Sequence, residues 1–194
     1  PEYVVPITCG HRGHCTEPYP EKSIVDVLGA DSVKAYFPFE GNNEDATGKV
    51  TVEGSGKFYH IDGYFDRGVR MDDGYLTLSD CKPGADSFSI GFWFKNGLAA
   101  GDPPVVSNKN WSRGGSPGFV LGMTITTVFF NVAAPGVGRF DTGALLPLDY
   151  KEGWVYVICS VDRAANTIGM SLDFEPMVIR ALPEGYKGGS FDTD

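Results

Sequence analysis

The sequence predicts an all-β fold, a two-sheet antiparallel sandwich or jelly roll preceded by an irregular N-terminal extension. Short stretches of alternating apolar and polar residues recur along the chain, and long apolar stripes with helical spacing are hard to find. The 26 glycines and 13 prolines are spread throughout the chain, and clusters of turn residues separate the alternating stretches. Many short strands divided by turns are typical of a sandwich.

Two strands stand out because alternate side chains in each are apolar. In residues 87–95 (SFSIGFWFK), Phe88, Ile90, Phe92 and Phe94 share one face, because successive side chains of a strand point to opposite faces. In residues 154–162 (WVYVICSVD), Val155, Val157, Cys159 and Val161 do the same. The remaining predicted strands are 33–39, 57–61, 68–71, 75–79, 104–107, 118–124, 127–132, 167–174 and 177–181.

The four cysteines divide between an extension and the predicted domain. Residues 1–31 are interpreted as an N-terminal extension or linker and residues 32–194 as the β domain. Cys9 and Cys15 flank the stretch CGHRGHC, which predicts a small disulfide loop, with a zinc site as the alternative. Cys159 is expected to be a buried small apolar residue, and its pairing with Cys81 is left open. An even cysteine count is compatible with secretion.

The charge balance restricts the classes of ligand. The net charge is −9 and the pI about 4.7, which argues against nucleic acid, where clustered cations must neutralise phosphates. The acidic residues could instead supply oxygen ligands to calcium, or serve only solubility. No apolar run approaches the roughly 18 residues that a membrane helix needs.

Five stretches, in the correct order, resemble laminin-G-like, concanavalin A-like jelly-roll domains of the kind appended to secreted bacterial enzymes. They are AYFPFEGNNEDATGK (35–49), GYFDRGVRMDDGYLTLSD (63–80), DSFSIGFWFK (86–95), VVSNKNWSRGGSPGF (105–119) and EGWVYVICSVDRAANTIGMSLD (152–173). The resemblance implies a jelly roll over residues 32–194. The final strands of that family have no counterpart here. The expectation is that a second chain or adjoining domain completes the sandwich, or that the stretch YVVPIT (3–8) does.

The same resemblance implies a calcium ion bound by the loop of residues 40–47, with Asn43 and Asp45 as ligands. Hard oxygen donors on a Gly-flanked loop suit calcium. The partner loop that would complete such a site in the family is missing from this sequence. An ordinary polar turn is the alternative.

The stretch 105–119 also predicts a ligand-binding loop on a rigid sheet. An aromatic ring offers a stacking surface for the apolar face of a sugar, and amide, ammonium, guanidinium and carboxylate groups bind its hydroxyls. The predicted binding residues are Asn108, Lys109, Asn110, Trp111, Arg113, Arg139 and Asp141. Two alternatives stay open: Trp111 plugs the end of the sandwich, or the sequence Asn110-Trp111-Ser112 carries a glycan.

Enzyme motifs are scarce. The sequence has no G-x-S-x-G elbow, P-loop or H-E-x-x-H motif, and its only histidines are His11, His14 and His60. Asp173 and Glu175 are the one carboxylate pair expected on a common strand face. The sequence therefore predicts a non-catalytic, lectin-like carbohydrate-binding module of a larger secreted or cell-surface protein. The alternatives are a structural or protein-interaction domain that docks on a catalytic neighbour or second chain, and a glycan hydrolase or lyase.

Overall fold

The computed structural model describes residues 23–95, 101–110, 115–146 and 153–192. The prediction of an all-β, antiparallel fold is confirmed: helical structure in this part of the chain is limited to α1 (Ile24–Leu28) and two short 3-10 turns, Ala30–Ser32 and Glu184–Tyr186. The chain forms two compact units, Pro1–Cys81 and Lys82–Asp194. The predicted boundary after residue 31 stays a prediction, because residues 1–22 lie outside the described part.

The first unit is built around a long β-hairpin of β1 (Thr51–Asp62) and β2 (Arg67–Ser79). The strands pair antiparallel from Thr51 opposite Ser79 to Asp62 opposite Arg67, with a bulge between Ser55 and Lys57. Gly56 lies in this bulge at φ +92°, and a Cβ atom there would lie 2.2 Å from the Asp73 carbonyl oxygen. Only glycine therefore fits the bulge. The three short strands predicted over residues 57–79 belong to this one hairpin.

The predicted first strand, residues 33–39, is wrong. The segment pairs with no strand among the described residues, and it is held instead by the next loop. The backbone N–H of Tyr36 donates to Asp45 Oδ1 at 2.8 Å, and the N–H of Ala46 donates to the Tyr36 carbonyl at 2.8 Å. Apolar alternation indicated a strand here, but a strand also needs a neighbour for its backbone groups.

The second unit contains two four-stranded antiparallel sheets. Sheet I has the order β10-β9-β8-β3 and sheet II the order β4-β5-β6-β7. The strands are β3 (Phe88–Phe94), β4 (Pro104–Ser107), β5 (Gly118–Met123), β6 (Thr127–Ala134), β7 (Gly138–Leu145), β8 (Val155–Asp162), β9 (Thr167–Leu172) and β10 (Val178–Ala181). Strand β7 was missed, because its sequence GRFDTGAL was interpreted as a loop on the binding rim.

One hydrophobic core joins the inner faces of the two sheets. The predicted inner faces are confirmed: the four alternate residues of β8 are buried, and the four of β3 pack against the same cluster. Sheet II contributes Leu121, Phe130 and Val132, which are fully buried. Burying one such side chain stabilises the fold by about 1.5–3 kcal/mol, so Phe130→Ala is expected to cost about 3–5 kcal/mol.

The chain after β10 contributes to this core without forming a strand. Leu182, Tyr186 and Phe191 are buried in the cluster. The Arg163 guanidinium lies 3.7 Å above the Phe191 ring and donates to the Tyr186 and Gly189 carbonyls at 3.1 and 2.7 Å. This segment, which Arg163 helps to hold, therefore covers apolar surface of the core.

The two described cysteines, Cys81 and Cys159, are free thiols. Cys159 is fully buried in β8, and this burial raises the pKa of its thiol to about 12. The expectation that Cys159 is a small apolar core residue is confirmed. The predicted pair Cys9 and Cys15 lies outside the described residues.

Candidate functional site

A polar cluster of Lys109, Asn131, Arg139 and Asp141 lies on the outer face of sheet II. Phe130 and Val132 of β6 point into the core, so Asn131 between them points outward. The register of β6 and β7 places Asp141 opposite Asn131 and Arg139 opposite Ala133. Lys109 reaches this face from the connection between β4 and β5. Three predicted binding residues, Lys109, Arg139 and Asp141, are therefore brought together.

Lys109 and Asn131 form the buried part of the cluster. Lys109 is 8% exposed and Asn131 is fully buried, and the Lys109 Nζ donates to Asn131 Oδ1 at 3.0 Å. Desolvation, and then the nearby charge of Arg139, lower the pKa of Lys109, whereas Asp141 acts in the opposite direction. The Lys109 side chain is thus within electrostatic reach of both β7 residues. The Asn131 Nδ2 atom has no hydrogen-bond partner in the described part of the chain.

Arg139 and Asp141 form the accessible part of the cluster. The Arg139 Nε donates to both Asp141 carboxylate oxygens, at 2.7 and 2.8 Å, and a second guanidinium nitrogen lies 2.5 Å from Oδ1. The two side chains are 38% and 43% exposed. Because they are two residues apart on one strand, they share its outer face. The pair presents a planar group of donors beside acceptors to solvent.

Asn108 makes structural hydrogen bonds, and its predicted binding role stays a prediction. Its Nδ2 donates to the Phe191 carbonyl at 2.8 Å, and its Oδ1 accepts from the Phe119 N–H at 2.7 Å. The side chain fastens the β4–β5 connection to the start of β5 and to the C-terminal segment. Asn110 is exposed in the same connection. Trp111 and Arg113 lie outside the described residues, so their predicted binding roles stay predictions.

Asn131 was missed by sequence reasoning although a signal was present. Its strand reads TVFFNVAA, and a single amide interrupts an otherwise apolar run. An amide in such a run is expected to be buried with a hydrogen-bond partner, because a buried polar group without one is costly. Here Lys109 is that partner.

The predicted calcium ligand Asp45 fits a cation poorly. Its carboxylate accepts hydrogen bonds from the backbone N–H groups of Tyr36, Thr47, Lys49 and Val50, and from the Thr47 hydroxyl. Desolvation opposes ionisation of Asp45, but these hydrogen bonds outweigh it and lower its pKa to about 2. Donors therefore occupy the lone pairs that a calcium ion would need. Calcium binding by other oxygens of the loop stays a prediction; Asn43 Oδ1 is buried without a partner among the described residues.

The carboxylate pair considered for catalysis does not lie on a strand. Strand β9 ends at Leu172, and Asp173 lies in the following turn at φ +48°. Its Oδ1 accepts from the Tyr156 N–H at 2.9 Å. Within the described ranges, no group of three His, Cys, Asp or Glu residues is arranged to hold a metal ion.

No protein-family model matches the chain, and no curated protein matches it at a significant level. Among the described residues, no helix is both long and apolar enough to cross a membrane.

Solved structures show a clear likeness in fold. The chain is similar to the binding domain of botulinum neurotoxin DC in complex with rat synaptotagmin II, with 15% identity, a TM-score of 0.61, and coverage of 85% of this chain and 44% of that one. It is also similar to a structure of botulinum neurotoxin type C, whose cell entry is described as dependent upon interaction with two ganglioside molecules, with 13% identity, a TM-score of 0.58, and coverage of 87% and 44%.

A third similar structure is the binding domain of Paraclostridial Mosquitocidal Protein 1, with 10% identity, a TM-score of 0.59, and coverage of 84% and 43%. The chain spans less than half the length of these three neighbours. At such identities the likeness concerns the fold. The first and third of these neighbours are described as binding domains.

Proposed function

We propose that this chain is a non-catalytic carbohydrate-binding module, of the concanavalin A-like jelly-roll type, from a larger secreted or cell-surface protein. The observation that carries the proposal is the convergence of Lys109, Arg139 and Asp141 on the outer face of sheet II. These residues come from separate elements and include an accessible pair, with donors and acceptors side by side.

The buried half of the cluster supports the accessible half. Lys109 and Asn131 are held by their hydrogen bond and by burial, so a ligand would meet a surface that is already ordered. A guanidinium group offers several donors in one plane, and a carboxylate accepts from neighbouring hydroxyls. Vicinal hydroxyls of a sugar ring match this arrangement. Trp111, which follows Lys109 by two positions, is the proposed stacking residue of the same site.

The descriptions of the structural neighbours agree with this proposal. One neighbour is the binding domain of botulinum neurotoxin DC in complex with SialylT, and another is described as interacting with two ganglioside molecules. These ligands belong to those proteins, and their chemistry guides the choice of glycans to be screened here. A sialylated glycan would place a carboxylate within reach of the cationic side of the cluster.

A glycan array probed with the wild-type chain and with Arg139→Ala tests the proposal. We expect binding to at least one glycan class and a loss of about 2 kcal/mol, or roughly thirtyfold in affinity, in the variant, because a charge-assisted contact is removed. Arg70→Ala is the matched control. Arg70 also pairs with an aspartate two residues along its strand, with Arg70 Nε 3.3 Å from Asp72 Oδ1. No glycan bound, or equal loss in both variants, would contradict the site.

A second candidate, a protein-interaction module, has one observation in its favour. Strand β10 is an edge strand of sheet I, and all four of its residues are exposed, with Ile179 62% exposed. Exposed apolar edge strands offer both side chains and backbone groups to a partner. The proposed partner is an adjoining domain or a second chain. Size-exclusion chromatography with light scattering tests the second chain; a monomer, unchanged by Ile179→Lys, would exclude self-association through this edge.

A further inference from the structure

Three aromatic side chains gather on the outer face of sheet I, on the sheet opposite to the polar cluster. Trp93 of β3 and Tyr156 of β8 are directly opposite each other in the strand register, with ring centroids 5.4 Å apart. Phe174, from the turn after β9, stacks on Tyr156 at 4.6 Å with an angle of 6° between the rings, and lies 6.0 Å from Trp93. These three residues are named the aromatic patch.

The backbone that carries Phe174 has an unusual conformation. Asp173 and Phe174 have φ values of +48° and +63°, so both central residues of the turn are left-handed. Turns of this kind favour Asn-Gly or Asp-Gly, because a Cβ atom is disfavoured in the left-handed region. Asp173, in the first central position, follows that preference. Phe174 occupies the second central position, where glycine is preferred.

Hydrogen bonds enforce this conformation from both sides. The Asp173 N–H donates to the Tyr156 carbonyl at 2.8 Å, and the Tyr156 N–H donates to Asp173 Oδ1 at 2.9 Å. The Glu175 N–H closes the turn on the Leu172 carbonyl at 2.9 Å. The turn therefore holds its shape without help from the Phe174 ring, and glycine would satisfy the same backbone.

The ring contributes little to the core. Phe174 is 52% exposed and lies on the face opposite the buried residues of β8. Backbone strain that the core does not require points to a function for the side chain. The feature to be explained is an aromatic ring displayed to solvent beside two others on a rigid sheet.

We infer that the aromatic patch is a second carbohydrate platform, on which the apolar face of a pyranose ring stacks against Phe174. This inference rests on the proposed function for the class of ligand but uses a different surface. Flat apolar rings bounded by polar groups suit a sugar, which has one apolar face and a rim of hydroxyls. Lys95 and Glu175, which directly follow β3 and Phe174, are exposed charged residues beside the patch in sequence.

Other flat or apolar ligands fit less well. A nucleic acid base could stack on the same rings, but the net charge of −9 opposes its phosphates. Further along the same face, Ser89 lies opposite Ser160. Between this pair and the aromatic patch, Ile158 lies opposite Gly91. The aromatic rings are thus confined to one end of the strands, and a patch of this size matches a single ring better than an extended apolar peptide.

Mapping by amide and indole chemical shifts tests the platform. The wild-type chain would be titrated with the methyl glycosides of glucose, galactose and N-acetylneuraminic acid. We expect shifts at the Trp93 indole and at the amides of residues 173–175 with at least one of them. Shifts at the polar cluster alone would overturn the platform but leave the proposed function. Shifts at the aromatic patch alone would support the platform and overturn the polar cluster as a binding site, and no shifts at either would overturn both.

Phe174→Gly separates binding from structure. Glycine suits φ +63°, so we expect an equal or higher urea midpoint together with at least tenfold weaker binding at the patch. Tyr75→Ala, which removes an exposed aromatic ring from β2, is the matched control and should leave binding unchanged. A lower urea midpoint for Phe174→Gly would show that the ring is structural and overturn the platform. Binding of an apolar peptide in place of every glycoside would also overturn it.

Discussion

The hydrogen bond between Lys109 and Asn131 can be tested by removing each partner and then both. Lys109→Met keeps the length of the side chain but removes the donor at 3.0 Å from Asn131 Oδ1. Asn131 is fully buried and its Nδ2 atom already has no partner in the described residues. The variant therefore leaves both the Oδ1 and the Nδ2 atom of the buried Asn131 amide without a hydrogen-bond partner among the described residues.

The structure sets the expected magnitude. A hydrogen bond to a charged group contributes about 1.5–3 kcal/mol, and leaving a buried acceptor unsatisfied costs a similar amount. We expect Lys109→Met to lower the free energy of unfolding by about 2 kcal/mol. Asn131→Val should cost about 1–2 kcal/mol, because valine suits a strand but leaves a buried ammonium with one acceptor fewer. In the double variant both polar partners are gone, so its cost should be smaller than the sum by about 1.5 kcal/mol.

Urea unfolding followed by tryptophan fluorescence measures these energies, since Trp93 and Trp154 report on the second unit. Lys187→Met is the control: Lys187 pairs with Glu184 at 2.8 Å, but both side chains are more than half exposed. Its cost should be below about 0.5 kcal/mol, as for other surface ion pairs. A coupling energy below about 0.5 kcal/mol between Lys109 and Asn131 would refute the argument that they form one buried unit.

Three further predictions concern single groups. The carboxylate of Asp45 has a folded pKa of about 2 against an ordinary 3.8, so its stabilisation is present above pH 4 and lost as the pH falls towards 2. After screening by nearby solvent we expect about 1–2 kcal/mol. Amide exchange of residues 36–50 should show this loss in the wild type and in the control Glu44→Gln, but not in Asp45→Asn. Because Asp45 is saturated with donors, equal melting temperatures are expected in calcium and in EDTA; a rise in calcium would show that other oxygens bind the ion. The buried Cys159 thiol, with a pKa of about 12, should resist alkylation at pH 8 until urea unfolds the second unit; peptide mapping that finds it modified in the native protein would contradict its burial.

The elements that could be predicted from sequence are those in which packing alone determines the pattern. The inner faces of β3 and β8 each carry four alternating apolar residues, and burial of those residues requires a strand. The segment 33–39 carries a similar pattern but has no neighbouring strand in the described part of the chain, and no local pattern reveals this. Strand β7 has neighbouring strands but lacks a clear apolar alternation, because its inner face includes small residues and its outer face carries Arg139 and Asp141. It was therefore missed.

The charged residues of the candidate site were selected from the sequence because their side chains can bind polar ligands. The amide of Asn131 was not selected, because it lies within an apolar strand. Arg139 and Asp141 were identified by type, and their pairing follows from a two-residue spacing on a strand. Asn131 depends on the register between β5, β6 and β7, which the sequence does not specify. The hydrogen bond from Asn108 to Phe191 was not predicted, because the two residues lie 83 positions apart in sequence. Contacts at such separations are decided by topology.

The Asn108 side chain links the start of the β4–β5 connection to the C-terminal segment. Its amide joins the loop to Phe191 and Phe119 through two short hydrogen bonds. Phe191 in turn is fixed by the Arg163 guanidinium above its ring. The tail and the loop therefore form one cooperative unit of local unfolding. Any event that detaches Phe191, whether proteolysis or the docking of a neighbouring domain, would release Asn108 at the same time and, under the proposed function, weaken binding at the polar cluster.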